Sequence, residues 1–396
     1  MPLGLYISVP FCRTKCSYCN FASDVFSKAV FGRYVDRVRD DVGAAAATAE
    51  RMGGIFESSV DSIYLGGGTP TVLDGAQLER IFAAVRETFD VLPSAEVTVE
   101  CAPGTLSDAV IATLLRCGVN RVSLGVQSFV DQEAAAVGRL HKRSTVIEEI
   151  ARLRAAGIGN INVDLIAGLP HQTRESWELS LNATIAIEAP HVSVYMLEVD
   201  EDSRLGRELI AGGTKYHAHF VPDENVTADL YEMACESLGR AGVAQYEISN
   251  FAREGWESRH NLKYWTRQPY MGFGVDAHSM LSSSDESAVR FSTADSLEEY
   301  VAGAELKRTN VDSSAALEEA FFLGLRLNSG VDLREVASEF GEDVVSQFSQ
   351  TIDGLVSGGV MVRDGDIVRL TARGRLLSNE VFERFLRGDQ AIIQQS

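Results

Sequence analysis

Residues 10–21 read PFCRTKCSYCNF, with Cys12, Cys16 and Cys19 packed into eight positions and no further cysteine or histidine close by. The triplet follows the short apolar run LYISVP, which places it in a loop directly after a strand. Thiolates are soft donors, and two chemistries accept three of them. One is a zinc site completed by a distant residue such as Cys101. The other is a cubane [4Fe–4S] cluster with one iron left open for a small molecule. Three plain loop thiols are the third reading, and it carries no chemistry.

Outward from that loop, β-branched runs recur: DSIYLGGG from Asp61, EVTVECAP from Glu96, RVSLGVQ from Arg121, NINVDLIAG from Asn160 and HVSVYMLEV from His191. Segments of helical period, such as QLERIFAAVRETF and STVIEEIARLRAAG, lie between them. Strands alternating with helices predict an α/β fold, a partial (β/α)6 TIM-like barrel. Each run ends in chemically distinctive residues: the cysteines, then Gly66-Gly67-Gly68-Thr69, then Glu100, Gln127 and Asp164. In barrels the strand C-termini carry the working loops, so these residues are expected to converge on one rim.

The rhythm breaks near residue 200. Three units are expected: a barrel over 1–222, a barrel extension over 223–310, and a C-terminal winged-helix-like domain over 311–396. Within the last, Arg363-Asp364-Gly365-Asp366 reads as a hairpin turn, and SSSDES near Ser282 reads as a surface loop.

The 396 residues are 45% hydrophobic, ample for a core, and carry a formal charge of −20. That charge excludes a general nucleic-acid binder, which needs a basic face to displace counterions. No basic leader with a cleavage site begins the sequence, and no long uncharged apolar window occurs. The expectation is a cytoplasmic protein whose six cysteines are ligands or core residues, not disulfides. Cys101, Cys117 and Cys235 suit core positions. The His217/His219 pair in KYHAHF reads as a solvated surface more readily than as a metal site.

The CxxxCxxC loop, with Tyr18 before its last cysteine, resembles the radical S-adenosylmethionine (SAM) superfamily. The resemblance continues through LGGGTP, GVQSF and DLIAGLP to GLRLNSGV and RLLSNEVF near the C-terminus. It implies that Cys12, Cys16 and Cys19 hold a [4Fe–4S] cluster whose open iron is chelated by SAM, and that an electron from the cluster can cleave the sulfonium. It also implies SAM contacts from Tyr6, Tyr18, Gly66, Gly67, Gly68, Thr69, Glu100, Gln127, Arg139 and Asp164. Bare glycine backbone can approach the methionine end, carboxylates suit ribose hydroxyls, and Arg139 suits a carboxylate.

Within the superfamily the chain resembles the oxygen-independent coproporphyrinogen III oxidase family, and two of its branches compete. The oxidase branch has a fourth cysteine where Phe21 stands and decarboxylates propionates. The heme chaperone branch, HemW, has the HNxxYW pattern found here as His260–Trp265. That branch implies heme held near His260, Tyr264 and Trp265, with Arg259, Lys263 and Arg267 meeting the propionates and His278 lining the same cavity. It further implies transfer of heme to an acceptor apoprotein, a respiratory enzyme at the membrane. Two positions depart from the relatives, Ser8 where they have His and Ala102 where they have Asn.

Overall fold

The computed structural model describes residues 1–284 and 288–386; part of the SSSDES loop and the C-terminal end of the last unit lie outside the described residues. Six strands form the barrel wall: β1 (Leu3–Val9), β2 (Ser59–Gly67), β3 (Asp90–Cys101), β4 (Arg121–Gln127), β5 (Asn160–Ala167) and β6 (His191–Met196). They run parallel and neighbour one another in chain order. β1 is buried along almost its whole length, which suits its near-continuous apolar sequence, LGLYISV. The helices between strands start where the sequence provides caps. Asp74 and Gln77 form a reciprocal capping box, as do Thr173 and Ser176. The main core lies between sheet and outer helices, with Trp177 fully buried and its indole N–H donated to the Leu230 carbonyl at 2.7 Å.

The barrel is open. After β6 the sheet continues antiparallel through β8 (Asn250–Ala252) to β7 (Ala244–Gln245). On its other side, β9 (Tyr270–Gly274) lies parallel to β1, followed by antiparallel β10 (His278–Ser282), β11 (Ala288–Ser292) and β12 (Lys307–Val311). The twelve-stranded sheet therefore has a seventh parallel strand, β9, that the sequence pattern did not single out.

A second, smaller core follows, from Leu317 to Phe385. Phe321 stacks on Phe385 at 4.8 Å and packs against Phe348. Three short strands, β13 (Val331–Asp332), β14 (Met361–Asp364) and β15 (Ile367–Leu370), form its sheet. The expected hairpin pairs Asp364 with Ile367, and Gly365 supplies the positive φ of 61° its turn requires. The Asn328 side chain donates to the Gln245 carbonyl at 2.7 Å, and Arg290 pairs with Glu319 at 2.7 Å, tying this unit to the extended sheet.

Candidate functional site

At the mouth of the barrel, the strand C-termini, the cysteine loop is stitched down on several sides. Cys12 N–H donates to Asp24 O and Asp24 N–H to Pro10 O, both at 3.0 Å. Lys15 Nζ donates to the carbonyls of Phe21 and Ser23. The Thr14 hydroxyl and Ser17 N–H donate to Gly138 O and Val137 O, fastening the loop to the segment after β4. All three thiols are free; Cys16 is buried, and Cys12 and Cys19 are half-buried. Among the described residues no three His, Cys, Asp or Glu side chains gather as closely as a single ion requires. A cubane asks for something different: its three thiolates sit on three separate irons, farther apart than ligands of one ion.

The glycine strip after β2 presses against this loop. Gly68 N–H donates to Val9 O and Thr69 N–H to Phe11 O, each at 2.8 Å. A Cβ on Gly68 would meet the Val9 and Phe11 carbonyls at 2.8 Å, one on Gly66 would meet the Glu100 carboxylate at 2.9 Å, and Gly67 holds φ of 94°. The Thr69 hydroxyl lies 3.9 Å from Cys12 Sγ. The missing side chains leave a bare backbone cradle beside the thiols.

Polar side chains from successive strands line the interior below. Tyr6 and Tyr64 are register partners with rings 6.2 Å apart, and the Tyr64 hydroxyl donates to Glu100 at 2.8 Å. Asp164 accepts from Ser123 at 3.0 Å and Asn162 at 2.6 Å. Burial, reinforced by repulsion from Asp164, pushes Glu100 up to about 7. Burial also raises Asp164, against the hydrogen bonds that hold its charge. Arg139 donates to the Tyr18 hydroxyl at 3.1 Å, while its Nε is buried with no partner among the described residues. Gln127 is buried with φ of 68°, at an irregularity in the β4–β5 register. A Cβ on Gly125 would lie 3.0 Å from Arg139 and 3.1 Å from the Gln127 amide, so that glycine makes room for both. Tyr18 packs with Val137, Ile166, Leu169 and Leu197. The ten mouth residues singled out in the sequence thus share one rim and interior with the cysteines. Tyr64 and Tyr195 belong to the same wall and were missed; the period-two alternation Tyr64–Gly66 and Ser193–Tyr195 is the signal that finds them.

The HNxxYW segment is elsewhere. It forms the helix Arg259–Trp265, which closes the opposite end, the floor, where the strands begin. Glu96 accepts from the Arg259 and His260 N–H groups at 3.2 and 3.1 Å, satisfying the start of that helix. His260 is 1% exposed. Its Nδ1 pairs with the Ser62 hydroxyl at 3.0 Å, its Nε2 with the Tyr264 hydroxyl at 2.8 Å, and its ring stacks near Tyr6 and Tyr64. Burial, with Lys263 and Arg121 nearby, drives His260 down to about 3. In this conformation both ring nitrogens are engaged, and neither is free to take a further ligand. Trp265 lies under the Arg326 guanidinium at 4.2 Å, with its indole nitrogen buried and unpartnered among the described residues.

The cations expected near propionates are also committed. Lys263 is buried against Asp61 at 2.8 Å and donates to Pro2 O; Arg267 pairs with Glu339 at 3.0 Å; Arg259 donates to Ser94 O at 2.6 Å. His278 does not share a cavity with His260. It follows β9 at the mouth end, 66% exposed and 3.8 Å from Asp276. Of the expected surface pair His219 is exposed and His217 half-buried, its Nδ1 3.1 Å from His171 Nε2. Cys101 and Cys117 are core residues and Cys235 is packed against the core. Thr105 donates to the Ala102 carbonyl through both N–H and hydroxyl, so the turn beside Glu100 forms with alanine there.

The model of the radical SAM superfamily matches residues 6–183, and that of the HemN C-terminal domain matches residues 311–377. The chain is 33% identical over 393 residues to the heme chaperone HemW of Lactococcus lactis, covering 98% of each. It is 33% identical over 391 residues to that of Bacillus subtilis, covering 96% of this chain and 98% of that one. With that of Escherichia coli the identity is 30% over 389 residues, covering 97% and 98%. Among solved structures, the radical SAM enzyme coproporphyrinogen III oxidase (HemN) from Escherichia coli shares the fold. The TM-score is 0.82 at 23% identity, covering 97% of this chain and 90% of that one.

Proposed function

The chain belongs to the heme chaperone HemW family, and on that premise we propose that it carries heme and delivers it to an acceptor apoprotein, with a [4Fe–4S] cluster and SAM at the barrel mouth. The heme half rests on the full-length kinship. The cofactor half rests above all on one observation, three free thiols beside a bare glycine cradle and a buried guanidinium with a nitrogen to spare.

In this reading Cys12, Cys16 and Cys19 ligate the cluster. The backbone of Gly66, Gly67 and Gly68 and the Thr69 hydroxyl face the methionine end of SAM, and Arg139 takes its carboxylate. Glu100 and Asp164 accept from ribose hydroxyls, Gln127 supplies an amide, and Tyr6 and Tyr18 flank the ligand, Tyr18 beside the adenine. When bound, the cluster and SAM supply one-electron reduction of a sulfonium; here they license transfer of heme rather than cleave it. Heme at His260, Tyr264 and Trp265 requires the floor helix to open, which frees the imidazole and the indole nitrogen together.

The acceptor in this reading is a respiratory enzyme at the membrane, met from the cytoplasmic side. Among the described residues no helix is long and apolar enough to cross a membrane. The acidic charge disfavours a nucleic-acid partner. Units 1–222, 223–310 and 311–396 remain the working division, supported by the last main-sheet strand ending at Val311 and the second core starting at Leu317.

The test is heme titration of anaerobically reconstituted protein, followed at the Soret band, with wild type beside His260→Ala and a parallel incubation with coproporphyrinogen III. Saturable heme binding without conversion of coproporphyrinogen is expected. No binding by wild type sinks the chaperone reading, and protoporphyrinogen formation replaces it with the oxidase. Unchanged binding by His260→Ala removes that ligand alone.

A further inference from the structure

The floor helix Arg259–Trp265 is held from two directions. Its start belongs to the barrel and its extension: Glu96 takes two of its N–H groups, and Ser258 at its cap donates N–H to the Tyr246 hydroxyl at 3.2 Å. Its end belongs to the C-terminal unit. Arg326 follows the helix Ser313–Gly324, whose Leu317 and Phe321 lie in the second core, and its guanidinium covers the Trp265 ring at 4.2 Å. The chain leaves the floor helix through Arg267, at φ of 54°, and there the guanidinium meets the Glu339 carboxylate through both terminal nitrogens, at 3.0 and 3.2 Å, and lies 5.2 Å from the Phe340 ring. Glu339 and Phe340 end the helix Leu333–Phe340 of the same unit.

The Arg267 clamp is fully paired, whereas the Arg326 clamp is not. Arg326 approaches Glu247, in the turn between β7 and β8, only to 4.0 Å, longer than a hydrogen bond. Trp265 Nε1, Arg326 Nε and Glu247 Oε2 are all buried, and none has a partner among the described residues. Burial lowers Arg326 and raises Glu247, each against the pull of the other. Three side chains from three elements thus meet with a polar atom of each left unbonded, a desolvation cost that water relieves once they part. The junction is kept shut by the guanidinium on the indole and by the backbone beside it. Glu247 bridges Leu327, and Asn328 donates to Tyr246 O at 2.9 Å and to Gln245 O at 2.7 Å. The stretch Gln245–Glu247 therefore touches both the start of the floor helix and the C-terminal unit. A contact penalised at its centre and held by its surroundings has two states within reach.

We propose that the C-terminal unit is a latch on the barrel floor: Arg326, seated on Trp265, keeps the helix Arg259–Trp265 closed, and its withdrawal lets that helix leave while the barrel stays folded. Arg326 is a positioning residue here. Its use rests on the heme chaperone reading, because the helix it controls carries His260, but the latch itself is measurable without heme.

Amide hydrogen exchange of the intact, anaerobically reconstituted protein is read on peptides covering 259–265 and β4, in wild type, Arg326→Ala, Arg326→Met, Arg267→Ala and Arg334→Ala. Arg326→Ala is expected to speed exchange at 259–265 at least about tenfold with β4 unchanged. Arg326→Met keeps an apolar stem on the indole and is expected to speed it about threefold, which carries the test if the alanine variant does not fold. Arg267→Ala, losing a partly exposed pair, is expected to speed it about twofold or less. Arg334→Ala, on the same unit but paired with Asp332 and Asp366, is expected to match wild type. Unchanged exchange at 259–265 in the Arg326 variants, or equal acceleration at β4, overturns the latch. Association of ferric protoporphyrin IX, followed at the Soret band, is expected to quicken by the same factor as the exchange. Faster exchange with unaltered association leaves the latch standing and removes the floor as the heme site.

Discussion

At the floor of the barrel His260 spends both ring nitrogens on Ser62 and Tyr264 and Lys263 lies buried against Asp61, while the Trp265 indole nitrogen, Arg121 Nε and Asn160 Oδ1 are buried there without a hydrogen-bond partner among the described residues. At the mouth, among the described residues, Arg139 keeps an unpartnered buried Nε, Ser17 an unpartnered hydroxyl, and three thiols form no disulfide. Both ends keep buried polar atoms without partners, but only at the mouth do they stand beside three free thiols and a bare glycine cradle. A lone orphaned polar atom is a local cost, whereas orphaned atoms gathered with soft donors and bare backbone mark where a ligand completes the protein.

The sharpest way to break this contrast is at the thiols. Cys16→Ala should abolish the iron–sulfur absorbance and most bound iron after reconstitution, yet leave chemical unfolding of the metal-free protein within about 1 kcal/mol of wild type. At the floor the pattern should reverse. His260→Ala strands the Ser62 and Tyr264 hydroxyls and opens a void, costing about 3 kcal/mol in denaturant unfolding with cluster assembly intact.

The two ends should also answer pH with opposite signs. Glu100 is raised to about 7, so its contribution to stability is fully present below its ordinary carboxyl range and is lost as pH rises through about 7. His260 is lowered to about 3, so its contribution is present above the ordinary imidazole range and is lost as pH falls toward about 3. Because SAM is cationic and favours ionised Glu100, its affinity should rise about threefold between pH about 6.5 and about 7.5. Glu100→Gln should flatten that profile, as calorimetry can measure. The smallest effect is expected at Arg267→Ala. It breaks a partly exposed pair with Glu339 and should cost below about 1 kcal/mol in thermal unfolding.

Much of the mouth was legible in the sequence because its candidate residues are local. Cys12, Cys16 and Cys19 lie within eight residues, and Glu100 and Gln127 fall at the end of β-branched runs, a place that barrel geometry already assigns to function, with Asp164 a little further in on β5. The floor was not legible. What His260 does depends on Ser62, 198 residues away, and on which end of the barrel the helix Arg259–Trp265 closes. An imidazole beside Tyr and Trp reads as a ligand until a long-range partner takes its lone pair. β9 escaped for another reason: Tyr270–Gly274 carries two glycines and no β-branched residue, and its pairing with β1 joins segments far apart in the chain. His171 and His217 show the reverse case. His217 reads in the sequence as half of a pair with His219, and only the segments after β5 and β6 bring it to His171.

The claim at the centre is that the mouth holds a four-iron cluster whose open iron takes SAM. EPR of the anaerobically reconstituted, reduced protein, recorded with and without SAM, tests it most directly. A [4Fe–4S] signal of one cluster per chain is expected, its shape changing when SAM is added, with no such change when Arg139 is replaced by Ala. Stoichiometric zinc in place of iron, or a cluster signal indifferent to SAM in the wild type, would contradict it.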